Sequence, residues 1–282
     1  MIGTVARTLR FIRFSHTVFA LPFAIGSMLV AAHGLPPLRA VGLVVLAMVC
    51  ARTAAMTFNR LADWHLDQRN PRTAARHTLI SRAGAVVLLV VASAAFVATT
   101  WFINPLCFRL SPVALVIVFF YSLTKRFTSF SHFFLGLALS VAPVGAWLAV
   151  RGQFEFPPLV LALAVLLWVA GFDMIYATQD HDFDRQAGLH SWVVRVGLPA
   201  ALAWAQRLHW IMLAVLAAFG WCAHLGVAFW SSLVLVAAAL VYEHRSAARL
   251  DVAGVNRAFF NANAFVGLAF VVAVFLDEVV LR

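Results

Sequence analysis

Two stretches of this chain carry carboxylates at the same spacing, "NRLADWHLD" at 59–67 and "YATQDHDFD" at 176–184. Each holds an Asp-x-x-x-Asp pair, Asp63 with Asp67 and Asp180 with Asp184, and each follows a long apolar run. Residues four apart share one face of a helix, so each pair presents its two carboxylates together. The protein has only 11 acidic residues, and five of them, counting Asp182, sit in these two stretches. One such pair alone reads more readily as a solvated loop. Two pairs, each closing an apolar segment in an acid-poor chain, repel one another unless cations lie between them. Hard oxygen donors suit Mg²⁺, which binds through few carboxylates and keeps positions for substrate phosphate oxygens. Basic side chains complete an anion clamp: Arg13, then Arg72 and Arg76 in "NPRTAARH", and Lys125, the only lysine, in "YSLTKRF" after Tyr121. The anion best matched to two Mg²⁺ ions with Lys and Arg is a diphosphate.

The elements that position these groups must be membrane helices. Of 282 residues, 63% are hydrophobic and 11% charged, against about 25% charged in soluble domains. Spans of roughly 20 apolar residues are expected at 14–33, 39–61, 83–103, 110–126, 130–150, 157–179, 197–221, 225–243 and 258–277. The connections are too short for a second domain, so 1–282 reads as one transmembrane domain of nine helices. The apolar N-terminal run reads as the first span, because no convincing cleavage site precedes a polar sequence. With nine spans, 15 basic residues, among them Arg60, Arg72, Lys125, Arg185 and Arg245, fall on one side. Arg39, Arg109, Arg151 and Arg282 fall on the other, and Arg52 and Arg207 lie within spans. Positive residues favour the cytoplasm, which places the N-terminus and both Asp pairs on the cytoplasmic side of the cell membrane. The net charge of +10 then reads as anchoring near anionic lipid rather than nucleic-acid binding. Cys50, Cys107 and Cys222 are scattered along apolar runs and read as packing residues.

A diphosphate site that opens onto an apolar bundle points to a lipid diphosphate. Nine tryptophans and 25 phenylalanines supply aromatic surface; most are packing, and a few are candidates to stabilise an allylic cation.

At these residues the chain resembles the UbiA family of intramembrane prenyltransferases. "NRLADWHLDQRNPRTAARH", "YSLTKRFT" and "YATQDHDFDRQAGLHS" are similar to its three signatures, N-x-x-x-D-x-x-x-D, Y-x-x-x-K and D-x-x-x-D. The resemblance extends over essentially the whole chain, "IRFSHTVFALPFA" included. It implies nine transmembrane helices around a central cavity that opens laterally to lipid. It also implies one Mg²⁺ on Asn59, Asp63 and Asp67 and another on Asp180 and Asp184. Lys125 and Arg13 would then contact the diphosphate, and Tyr121 and Tyr176 would complete the polar wall. The version "NRxxDxxxD…NPRTAxR" most resembles the 4-hydroxybenzoate polyprenyltransferase-like branch. That branch implies transfer of a polyprenyl group from its diphosphate to a hydroxylated aromatic acid in respiratory quinone synthesis. The acceptor is 4-hydroxybenzoate or, alternatively, 1,4-dihydroxy-6-naphthoate on the futalosine route to menaquinone. The rival from another class is a transporter that uses Arg52, Asp173 and Arg207 as intramembrane charges.

Overall fold

The structure, a computed structural model, describes residues 7, 8, 10–12 and 19–282, without the side chains of 76, 77, 252, 253, 257 and 258. Among the described residues there is no strand, and nine apolar helices dominate. They are α1 Leu21–Ala32, α2 Leu38–Ala62, α3 Arg82–Ile103, α4 Pro105–Thr124, α5 Ser131–Arg151, α6 Phe156–Ala177, α7 Leu198–Cys222, α8 Val227–Ala247 and α9 Asn263–Phe275. Eight of the nine, α9 together with its flanking turns, are long and apolar enough to cross a membrane; α1 is shorter.

Local sequence explains the helix boundaries. Proline occupies the first turn of α1, α4, α6 and α7, where its missing N–H costs no hydrogen bond. Ser81 caps α3 by accepting from Gly84 N at 3.1 Å, and Asn104 caps α4 by accepting from Cys107 N at 2.8 Å. The Asn104–Pro105 start corrects one sequence expectation. The helix begins five residues before the expected 110, so Arg109 lies inside α4, exposed in its early turns, and not in the preceding loop. The cap and the proline outweigh the polar residue. Arg109 stays at the same end of the bundle.

The helices close into a ring in which α1 packs on α5 and α9, and the chain neighbours α4 to α9 pack successively on one another. Phe23 of α1 joins three helices, 4.9 Å from Trp168 of α6 and 4.7 Å from Phe270 of α9 by ring centroids. The outer faces stay apolar: Val86, Val87, Val90 and Val91 of α3 are all exposed. In water that stripe would be an aggregation surface; against lipid tails it is the expected solvent contact. The protein is thus a multi-pass, all-helical membrane protein.

The approach of α5 to α6 is unusually close at one point. A Cβ on Gly136 of α5 would stand 2.4 Å from the carbonyl oxygen of Leu166 on α6, so glycine lets these backbones meet.

Candidate active site

Both aspartate motifs fold the same way. Asp63 terminates α2 and begins the six-residue helix Trp64–Arg69. Asp180 ends the turn Thr178–Asp180 that extends α6 and begins the six-residue helix His181–Gln186. Their backbones nearly coincide, φ −96°, ψ 16° for Asp63 and φ −105°, ψ 3° for Asp180. Both occupy the sparsely allowed bridge region between regular helices. The shared spacing of the two stretches is therefore matched by a shared backbone geometry. The expectation that each pair ends a helix on one face needs a refinement, because the first aspartate is the hinge between two helices. Asp67 N still bonds Asp63 O at 2.7 Å, which keeps the i, i+4 relation.

The two motifs meet across a cavity of about 270 Å³ at one end of the bundle. Asn59, Asp63, Asp67, Arg72, Tyr121, Lys125, Tyr176, Asp180 and Asp184, all expected from sequence, line it. Arg13 lies outside the described residues. Arg76 is in the short helix Ala74–Thr78, and its side chain is not among those described. Asp182, between the two motif positions, turns away with 80% of its side chain exposed, near His181 Nδ1 at 3.0 Å.

Every motif carboxylate has a basic partner. Arg72 grips Asp180 with Nε, 2.8 Å from Oδ1, and with Nη2 on the other oxygen, while its Nη1 donates to the Tyr176 hydroxyl at 2.9 Å. Asn70 adds a third donor to Asp180 at 3.2 Å. Lys125 Nζ donates to Asp184 at 3.0 Å, Arg60 to Asp67 at 3.4 Å and Arg126 to Asp63 at 3.4 Å. Asn59 donates to Asp63 at 3.4 Å and accepts from Arg60 at 3.2 Å. Arg60, Asn70 and Arg126 are site residues that the sequence does not single out. Arg60 beside Asn59 in "NRLADWHLD", Arg126 beside Lys125 in "TKRF" and Asn70 opening "NPRTAAR" are the local signals they leave.

Burial pushes the Asp63 carboxyl above the usual carboxylate range, with Asp67 adding to the shift against the opposing bond from Arg126. Burial works against the charge on Lys125 and on Arg72, but facing carboxylates more than offset it. Asp184 holds Lys125, and Asp180 holds Arg72, above their ordinary values. The cavity thus keeps cations charged and strains one carboxylate, a field suited to a polyanion with metal.

The donor set fits Mg²⁺. It consists of oxygens only, two carboxylates from each motif with Asn59 beside one pair. Among the described residues no three His, Cys, Asp or Glu side chains converge on one point. A hard divalent ion that takes one or two carboxylates and completes its shell with phosphate oxygens and water needs no such cage.

Past Tyr121 the surroundings change. A second chamber of about 470 Å³, lined almost wholly by apolar side chains of α2 to α5, shares Arg52, Met56, Tyr121, Leu135 and Leu139 with the polar cavity. Among the described residues Arg52 is the one charged residue lining it, and Arg52 Nε is buried without a hydrogen-bond partner among them. The other intramembrane charges have local companions. Asp173 Oδ2 lies 2.6 Å from His132 Nδ1, and Arg207 lies 5.1 Å from the Trp204 ring centroid. No local sequence pattern points to His132.

A model of the UbiA prenyltransferase family matches residues 20–269. A 4-hydroxybenzoate octaprenyltransferase of Vibrio atlanticus is 32% identical over 255 residues, covering 89% of this chain and 88% of that protein. One of Alkalilimnicola ehrlichii is 33% identical over 247 residues, covering 86% of this chain and 83% of that protein. The apo structure of a UbiA homolog from Aeropyrum pernix K1 is similar with TM-score 0.84 at 31% identity, over 93% of this chain and 98% of that one. A UbiA homolog from Archaeoglobus fulgidus bound to GPP and Mg²⁺ shares the fold, with TM-score 0.74 at 23% identity over 96% and 99% of the two chains.

Proposed function

The chain belongs to the UbiA prenyltransferase family, and from that premise we propose that it moves a polyprenyl group from a polyprenyl diphosphate to 4-hydroxybenzoate, with Mg²⁺. The observation that carries this reading is the junction of the two chambers. A polar cavity holding two Asp-x-x-x-Asp motifs and four bases opens directly onto an apolar chamber, with Arg52 and its unpartnered Nε at the join. A diphosphate fits the first chamber, an isoprenoid tail the second, and the carboxylate of an aromatic acid the cation between them.

Asn59, Asp63 and Asp67 would hold one Mg²⁺, and Asp180 and Asp184 the other. Bound there, the metal supplies charge neutralisation for the departing diphosphate. Arg72 and Lys125, now on Asp180 and Asp184, exchange carboxylate for diphosphate oxygens, and Arg13 is proposed to join them. Tyr121 stands between the chambers, and Tyr176 completes the wall of the polar one. Once the allylic C–O bond breaks, Phe19, Phe172 and Phe259 in the cavity wall offer ring faces to the prenyl cation, and the bundle keeps water away from it. The aromatic ring then attacks the cation.

We place the site on the cytoplasmic face of the cell membrane, on the strength of the excess of Arg and Lys at that end. The partners are therefore membrane lipid, a lipid-borne donor and an acidic aromatic acceptor, with no role for nucleic acid. Purified protein incubated with Mg²⁺, octaprenyl diphosphate and either 4-hydroxybenzoate or 1,4-dihydroxy-6-naphthoate tests the reading. Prenylated 4-hydroxybenzoate is the expected product. Product from the naphthoate alone would move the protein to the menaquinone route, and product from neither would end the reading.

A further inference from the structure

Prenylating an aromatic ring leaves one proton to be removed, and we propose that Asp173, held by His132, takes it. The proposal rests on aromatic prenyl transfer being the reaction and names a catalytic residue within it.

Asp173 lies on α6, seven residues before Asp180, hence about 10 Å deeper along the helix. It lines the polar cavity with Phe172 and Tyr176 on one side and Leu135 and Leu139, which also line the apolar chamber, on the other. The reactive carbon is bonded to the diphosphate oxygen and the tail runs from it toward the apolar chamber, so an acceptor ring that attacks from between the motifs and that chamber has Asp173 in its wall. Asp173 is also unlike the other carboxylates of the cavity. Asp63, Asp67, Asp180 and Asp184 each have an arginine or lysine at hydrogen-bond distance and are already assigned to metal and diphosphate, whereas Lys125 attracts Asp173 without a hydrogen bond to it. The hydrogen-bond partner of Asp173 is an imidazole, 2.6 Å away. Its side chain is 22% exposed toward the cavity, while that of His132 is 0% exposed.

That arrangement assigns the roles. A carboxylate only accepts, so His132 Nδ1 carries its proton toward Asp173 Oδ2. His132 Nε2 is buried without a partner among the described residues, so the Asp173 bond sets the ring's tautomer and orientation. Asp173 Oδ1 is left to act. In the step, ring π electrons form the bond to the allylic carbon. The C–H bond at that ring carbon then breaks, its electron pair returns to the ring, and the proton passes to Oδ1 of Asp173, which gives it up to solvent when the products leave. No oxidant or reductant is needed. His132 is a positioning residue, and Gly136 one turn along α5 lets α5 and α6 approach closely enough for the pair to meet.

The test compares acceptor carrying hydrogen or deuterium at the carbons beside its hydroxyl, using full-length protein with Mg²⁺ and octaprenyl diphosphate. In the wild type, C–H cleavage follows the slow step, and the isotope effect on kcat is expected near unity. Asp173→Asn should lower kcat by about 100-fold, leave KM for the diphosphate within a few-fold, and bring out an isotope effect well above unity. His132→Leu should do the same more weakly. His132→Asn, which returns an N–H near the Nδ1 position, should recover most of the loss. Turnover of Asp173→Asn close to wild type, or a loss without any isotope effect, overturns the assignment. If Asp173→Asn does not fold, as judged by its melting temperature, the two His132 variants decide by the same isotope criterion. Wild-type protein that prenylates neither aromatic acid would fell the functional reading itself. Normal wild-type turnover with unaffected variants would fell only the role of Asp173.

Discussion

Arg72 and Lys125 each hold one carboxylate of the second motif, and both must let go of it if metal and diphosphate are to enter. Removing Asp63 or Asp180 takes away a proposed metal ligand and also strands a base in a partly buried cavity. Asp63→Ala and Asp180→Ala are therefore expected to lose essentially all turnover in a prenyl-transfer assay while still expressing as folded protein. Arg52 should behave differently, because its proposed ligand is the acceptor alone. A charged hydrogen bond contributes about 1.5–3 kcal/mol, so Arg52→Gln should raise KM for 4-hydroxybenzoate by about ten- to a hundredfold and spare KM for the diphosphate. Steady-state kinetics with each substrate varied in turn checks this. The motif residues are legible in the sequence because four-residue spacing is a local property. Their partners are not. Asp63 and Arg126 lie 63 positions apart, and His132 and Asp173 lie 41 apart. No periodicity within one helix reports which face of another helix it will meet. Asp173 on its own reads as an isolated intramembrane charge; only the packing of α5 on α6 gives it a companion.

Two element-level contacts fix how the helices sit, and each is testable. Gly136→Ala inserts a methyl group 2.4 Å from the Leu166 carbonyl, so α5 and α6 must separate. Overpacking of this kind costs about 1–3 kcal/mol, and a lower melting temperature in detergent is the expected result. Turnover should also fall, since the same separation pulls His132 from Asp173. At the other end of the bundle Asp277, in the turn Leu276–Val280 that follows α9, accepts from Ala228 N at 3.0 Å and Phe229 N at 2.8 Å. It caps α8 from a distant part of the chain and favours the positive end of that helix. Asp277→Ala should cost about 1 kcal/mol with activity unchanged in the surviving folded protein. The spans themselves are readable from apolar run length alone. Their starts are less so: α4 begins at Pro105 because an Asn cap and a proline recruit polar residues that a hydropathy reading excludes. The two short motif helices are invisible as separate elements, because the break at Asp63 and at Asp180 is a backbone bend with no proline or glycine to announce it.

For the molecule as a whole, the way the bundle faces fixes the side from which the proposed substrates arrive. The polar cavity, both motif helices and Lys125 lie at one end, and most of the arginines lie there too. Arg39, Arg151 and Arg282 lie at the other, with Arg109 near it. Since basic residues near helix ends resist translocation, the cavity end should be cytoplasmic. Single cysteines make this testable after Cys50, Cys107 and Cys222 are replaced by Ala. Thr78 is exposed in the short helix Ala74–Thr78 at the cavity end, and Gln153 is exposed in the loop between α5 and α6 at the opposite end. In right-side-out vesicles, a membrane-impermeant maleimide should label Gln153→Cys at once and Thr78→Cys only after permeabilisation. The reverse pattern would put the cavity outside and would refute the proposed orientation. Equal labelling of both in sealed vesicles would mean that the protein inserts both ways, which an imbalance this strong in basic residues argues against.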